Sequence, residues 1–210
     1  MYFQDVYFFN GMAYAGKSTV VKKLAQKYDG IACTENYHSR LLGGLDKNEF
    51  PCLTYLRDLK DMHAFIRRTP DEYEAWFKGA AMESEKLELK MLEDIAGKGR
   101  KVFVDTNISV EMLKKVADAK NVVIMLTDPD TAVERFFERQ DDDKRFLYNL
   151  IMEEKDPEAA LENFKNCLRR VNSKAAFDSF LFSGFQVLIR DDNRSEEETL
   201  AVVEKMLDLV

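Results

Sequence analysis

Two glycines five residues apart, the second followed directly by a lysine and a serine, carry the clearest chemical signal in this chain: Gly11-Met12-Ala13-Tyr14-Ala15-Gly16-Lys17-Ser18. The segment fits the pattern G-x-x-x-x-G-K-[ST] without departure. Each fixed position has a chemical reason. Glycine lets the backbone turn tightly, so that successive N–H groups of Gly11, Ala13, Tyr14, Ala15 and Gly16 point inward at phosphate oxygens. Lys17 offers a cation to the β- and γ-phosphates, and the Ser18 hydroxyl is an oxygen ligand for Mg²⁺. The helix expected to start near Lys17 presents its positive end, with Ser18 and Thr19 in its first turn, to the same anion. The required context is present, since the aromatic, β-branched run Tyr2 to Phe9 reads as a strand directly before the motif.

On these residues the chain resembles the P-loop small-molecule kinases, the branch that holds nucleoside monophosphate, shikimate, gluconate and deoxynucleoside kinases. The resemblance covers the whole chain in element order and is specific at the motif. It implies an α/β three-layer sandwich of the P-loop NTPase fold, with a five-stranded parallel sheet of order 2-3-1-4-5. A helical acceptor-binding insertion is implied after the second strand, at about 36–96, and a lid after the fourth, at about 135–156. It further implies a single domain over 1–210 with ATP and Mg²⁺ as cofactors. Asp105, ending the third strand, takes the part of an acid acting on Mg²⁺ beside Ser18. Monophosphate kinases usually continue Asp-Gly-Phe/Tyr-Pro, whereas this chain reads Asp105-Thr106-Asn107-Ile108, which weakens the case for a monophosphate acceptor. Glu35, at the end of the second strand, matches the base of deoxynucleoside kinases, although here it precedes Asn36 rather than Pro. Glu35 and Asp105 both stay open as the base. Arg135 and Arg139 lie four residues apart and share a helix face; the resemblance makes them lid arginines that neutralise charge on the transferring group. Arg169 or Arg170 is implied to point at the phosphates from the next helix.

Elements that place these groups follow from local pattern. Val20, Val21, Leu24 and Tyr28 line one face of the first helix, with Gly30 as its stop. Ile31 to Thr34 reads as the second strand, and 36–51 as a loop or broken helix. Helical signals run from Leu53 to Ala96, divided by Thr69-Pro70-Asp71-Glu72, a capping box with proline at the first helical position. Lys101 to Val104, Val122 to Leu126 and Phe185 to Ile189 are the remaining strands. Helices are expected over roughly 110–119, from Asp128-Pro129 through Arg135 and Arg139, from Asp156-Pro157 through Arg170, and after Ser195, whose Glu198 completes a second capping box. The run Asp141-Asp142-Asp143 reads as a solvated lid tip. Short apolar strands alternating with helices indicate a parallel sheet covered on both faces.

Composition narrows the function classes. The chain has 210 residues, 46% hydrophobic, with 15 Phe, enough for one buried core. Its formal charge of −7 argues against a general binder of nucleic acid polymers, which demand a basic face. Three dispersed cysteines and two histidines make no convincing zinc set and fit reduced thiols. No basic-then-apolar leader and no apolar run of about 18 residues is present, so a cytoplasmic protein is expected, with no membrane association.

The leading expectation is an ATP- and Mg-dependent phosphotransferase acting on a small acceptor, a nucleoside, nucleotide or hydroxylated metabolite. Arg40, Arg57, Arg67 and Arg68 in the insertion are candidates to hold an anionic acceptor, and the sequence does not choose among them. The alternative is a nucleotide-hydrolysing switch or regulatory ATPase acting through a protein partner. Against a GTPase, Leu126-Thr127-Asp128-Pro129 stands where Asn-Lys-x-Asp would read guanine. A degenerate nucleotide-binding scaffold is a third reading, opposed by the intact Lys17-Ser18 pair. Oligomeric state is open.

Overall fold

The computed structural model describes residues 2–138 and 142–210. Its centre is a five-stranded, all-parallel sheet: β1 (Val6–Gly11), β2 (Ile31–Cys33), β3 (Val102–Asp105), β4 (Val122–Leu126) and β5 (Gln186–Ile189), in the order β2-β3-β1-β4-β5. Strand order and parallel pairing agree with the sequence expectation. The register sets Phe9 opposite Asp105 and Gly11 opposite Met125. The carboxyl ends of the central strands therefore lie at one level, where an open parallel sheet presents its ligand crevice.

Alternation along each strand divides the sheet into two apolar faces. Val6, Phe8, Val102, Val104, Ile124 and Leu126 pack on one side with Leu92 of α4 (Pro70–Ile95), a helix that follows α1 (Lys17–Lys27), α2 (Tyr55–Asp58) and α3 (His63–Ile66) in the chain, and with Leu113 of α5 (Val110–Val116). Phe9, Phe103, Val123 and Met125 face the other way, onto Val20, Val21 and Leu24 of α1. Strands buried on both faces cannot alternate polar with apolar, which is why β4 reads as an unbroken run.

A second apolar cluster is built away from the sheet, from segments that leave the carboxyl ends of β2 and β4. It joins Phe65 and Ile66 of α3, Tyr73 of α4, Val133 of α6 (Pro129–Glu134), Leu150 and Ile151 of α7 (Asp142–Met152) and Phe164 of α8 (Pro157–Val171). α9 (Lys174–Leu181) then leads to β5, and α10 (Glu196–Met206) covers the α1 face through Val203.

Where the expected helix over 53–69 should run, the chain forms two short helices, α2 and α3. Asp61 explains the break: its carboxylate accepts the His63 amide, a local bond that competes with continuation of a helix. Leu59 is extended at ψ 125°, and Arg57 is drawn away to the carbonyls of Leu42 and Leu45. The first strand begins at Val6, while Phe3 makes only an isolated bridge to Ala117. That bridge also ends α5 at Val116, three residues earlier than the pattern suggests.

Candidate functional site

The Gly11–Ser18 segment closes a tight loop between β1 and α1, and three left-handed residues make the turn: Gly11 at φ 119°, Tyr14 at φ 63° and Gly16 at φ 93°. Glycine is required at position 11 for a second reason, since a Cβ there would collide with the Met125 carbonyl oxygen. Tyr14 bears the cost of a left-handed non-glycine conformation, of order 1–3 kcal/mol for such residues. Gly16 is the N-cap of α1 and provides no side-chain acceptor for the first amides of the helix. By contrast, Thr69, Ser109, Asp156, Ser173 and Ser195 each cap their own helices with a side-chain oxygen. The orphan N–H groups of α1 are thus left for something else to satisfy.

Lys17, Ser18 and Asp105 converge at the mouth of this loop. Lys17 Nζ donates to the Met12 carbonyl at 2.8 Å and lies 3.8 Å from Asp105 Oδ1. Ser18 Oγ donates to Asp105 Oδ2 at 2.6 Å. Asp105 is buried, and burial pushes its carboxyl above the ordinary carboxylate range, against the opposing pull of Lys17 and Ser18; the charges of Glu35 and Glu88 add to the rise. Glu35 is exposed just past β2, close enough for its charge to act on Asp105.

A fully buried carboxylate supports this end of the sheet. Glu88 of α4 accepts hydrogen bonds from Thr106 Oγ1 at 2.6 Å, from the Asn107 amide at 3.0 Å and from Asn107 Nδ2 at 3.1 Å. His38 Nδ1 lies 3.0 Å from the oxygen that also accepts from Asn107 Nδ2, and His38 Nε2 lies 3.2 Å from Ser84 Oγ. Both oxygens of the carboxylate are thereby engaged. Glu88 therefore fastens the two residues after Asp105 to α4 and to the Tyr37–Gly44 3-10 segment. Local pattern gives no sign of it, because one glutamate in a charged helix looks like a solvated face.

Opposite, the loop after β5 contributes charge that the motif reading also missed. Arg190 donates to the Tyr14 carbonyl through Nη1 and to Asp192 Oδ1 at 2.7 Å through Nε. Arg135, where α6 ends, reaches the other Asp192 oxygen at 3.4 Å. Asp192 thus bridges two arginines, and its carboxyl is held below the ordinary range, first by the Arg190 hydrogen bond. A cleft of about 180 Å³ lies between this loop and the glycine loop, walled by Gly16, Thr19, Lys23, Asp192 and Thr199. A polar Arg-Asp-Asp run directly after a strand was the available signal, because parallel sheets bind ligands beyond their strand ends.

The remaining expected site residues are placed as follows. Arg169 is exposed and bound to Glu162 at 2.6 Å and Asn166 at 2.8 Å, within its own helix. Arg170 ties α8 to α4 through Asp71 and Glu74. The structure brings neither of them to the glycine loop. Arg139 and Asp141 lie outside the described residues. Trp76 is part of a packed aromatic group with Phe65 and Tyr73, and its Nε1 donates to the Cys52 carbonyl. No helix among the described residues is long and apolar enough to cross a membrane.

Hard oxygen donors at Ser18 and Asp105 fit Mg²⁺, which takes one or two protein groups and completes its shell with waters and phosphates. Among the described residues no group of three His, Cys, Asp or Glu side chains forms an all-protein cage. The arrangement is suited to holding a polyphosphate against main-chain amides, one lysine and an oxygen-bound divalent cation. No known family's sequence model matches this chain, and no curated protein matches it either.

Proposed function

We propose that this chain is a phosphotransferase of the P-loop NTPase fold that moves the γ-phosphate of ATP, with Mg²⁺, onto a small-molecule acceptor. The observation that carries the reading is the meeting of Lys17, Ser18 and Asp105 at a left-handed loop whose following helix has no side-chain cap. An anion is the natural occupant of such a site, because uncapped amides and the helix dipole both favour negative charge.

In this mechanism Lys17 leaves the Met12 carbonyl and pairs with the β- and γ-phosphates, while the amides of the loop orient the chain of phosphates. Ser18 and Asp105 would hold Mg²⁺, which would supply positive charge against the charge that builds on the transferring group. Arg190 lines the same cleft and Arg135 reaches it through Asp192; both exchange Asp192 for phosphate oxygens. Asp105 and Glu35, within electrostatic reach of one another, both stand open to receive the acceptor proton, and burial raises the Asp105 carboxyl above the ordinary carboxylate range. Glu35, exposed at the acceptor side, remains the other base. Positioning and electrostatics supply most of the rate in such a reaction.

ADP release, measured with ATP and Mg²⁺ against nucleosides, monophosphates, sugar acids and cyclic hydroxy acids, tests the reading. Lys17→Ala should lower turnover by at least about a thousandfold while the fold is retained. Near-normal transfer by that variant, or no Mg-dependent affinity of the wild type for any nucleoside triphosphate, would refute it.

A further inference from the structure

Arg68 stands apart from the other three arginines of the 36–96 segment. Arg57 is spent on Asp58 and two carbonyls, Arg67 on Glu154, and Arg40 is exposed. Arg68 is half-buried, and its guanidinium carbon lies 4.0 Å from the Tyr55 ring centroid, 5.4 Å from Phe65 and 5.5 Å from Trp76. Its Nη1 is buried and has no hydrogen-bond acceptor among the described residues. The nearby acid, Glu72, is already committed to the Thr69 amide and hydroxyl in the cap of α4. The backbone of Arg68 is meanwhile pinned, since its carbonyl accepts from Asn163 Nδ2 at 2.9 Å. A cation stacked on aromatic faces gains from the ring quadrupoles, but a buried Nη1 without an acceptor is an incomplete arrangement.

Arg68 borders a broad open cleft of about 700 Å³, within the size range of small-molecule sites. Arg67 lies beside it, Tyr55 and Trp76 supply flat walls, and Pro51 and Ala75 add small apolar ones. None of these residues borders the cleft at the glycine loop. Trp76 is also twelve residues from Glu88 on the same helix, ~18 Å at 1.5 Å per residue. We infer that this cleft is a second binding site, which takes a small planar anion, an aromatic carboxylate or phosphate ester, with the anion on the Arg68 guanidinium and the ring against Tyr55 and Trp76. A guanidinium fork matches either anion in a bidentate pair, and a stacked fork is already oriented to form it.

Trp76 is the chain's single tryptophan and lines this cleft, so its fluorescence reports on it, and Lys17→Ala controls for changes at the glycine loop. The experiment titrates the full chain with phenyl phosphate, benzoate and inorganic phosphate, following Trp76 emission. It is run on the wild type, Lys17→Ala, Arg68→Gln and Arg68→Lys, with thermal melts to establish that each is folded. The expected result is a saturable change with phenyl phosphate or benzoate, weaker with inorganic phosphate and the same in Lys17→Ala. Binding should weaken at least about tenfold in Arg68→Gln and also in Arg68→Lys, which keeps the charge and loses the fork. Should Arg68→Gln not fold, Arg68→Lys carries the comparison. The two organic probes distinguish a phosphate from a carboxylate occupant. No saturable change with any probe, wild-type affinity in both Arg68 variants, or loss of the signal in Lys17→Ala would overturn the inference, and inorganic phosphate binding as tightly as phenyl phosphate would overturn its planar part. Because the signal is local, these outcomes are independent of whether the glycine loop transfers phosphate.

Discussion

At Asp105 and Glu88 two buried carboxylates meet opposite treatment. Glu88 is surrounded by donors; Asp105 is buried with fewer, and its carboxyl is raised chiefly by that burial. The sign of the linkage follows. Between the ordinary Asp pKa of 3.8 and its raised value, the folded state holds more protons than the unfolded state, so this group's contribution to stability falls as pH rises through that window. Asp105→Asn should therefore raise Tm at neutral pH and flatten its pH dependence, while abolishing the proposed transfer. A neutral-pH Tm lower than wild type would count against this account. Glu88→Ala strands several donors at once and should cost about 3 kcal/mol or more in chemical denaturation. Gly11→Ala, in a left-handed position against the Met125 carbonyl, should cost over ~2 kcal/mol and displace the loop, read out as lost nucleotide binding.

Among the elements, α1 and α4 show how capping separates structural from functional helix ends. α4 opens on Thr69, whose hydroxyl accepts the Glu72 amide while the Glu72 carboxylate takes the Thr69 amide. Thr69→Ala should cost about 1 kcal/mol and leave nucleotide affinity unchanged, checked by denaturation and by ATP titration. α1 opens on a bare glycine, and no comparable loss is available there. The loop after β5 is the movable counterpart. Arg190 and Arg135 are both held on Asp192, so Asp192→Ala should release them and strengthen Mg-ATP binding several-fold in titration calorimetry; weaker binding would show that Asp192 itself supports the nucleotide.

Across the molecule, burial divides into the sheet core and the separate cluster centred on Phe164. Phe164 touches Phe65, Tyr73, Phe136 and Phe137 and is 1% exposed. Phe164→Ala should cost about 3–5 kcal/mol. Hydrogen exchange should show that cost in α3, α7 and α8 more than in β1 and β4. The cluster gathers residues from 65 to 168, and such separations explain why it was not legible beforehand. Local period reveals that a helix has an apolar face, but not which other face will cover it.

The sequence by itself determined the strands, the capping boxes at Thr69 and Ser195, and the glycine loop, because each depends on neighbours within a few residues; the order of the strands followed only from the resemblance. Only the tertiary structure decided that Lys17 and Ser18 meet Asp105, that Glu88 anchors the segment after it, that Arg169 turns to Glu162, and that Arg68 Nη1 is buried with no acceptor among the described residues. Those outcomes depend on which charges the fold brings within hydrogen-bond reach across 87 positions for Ser18 and Asp105, or 19 for Glu88 and Asn107. Electrostatic pairing acts through space, and chain separation carries no record of it.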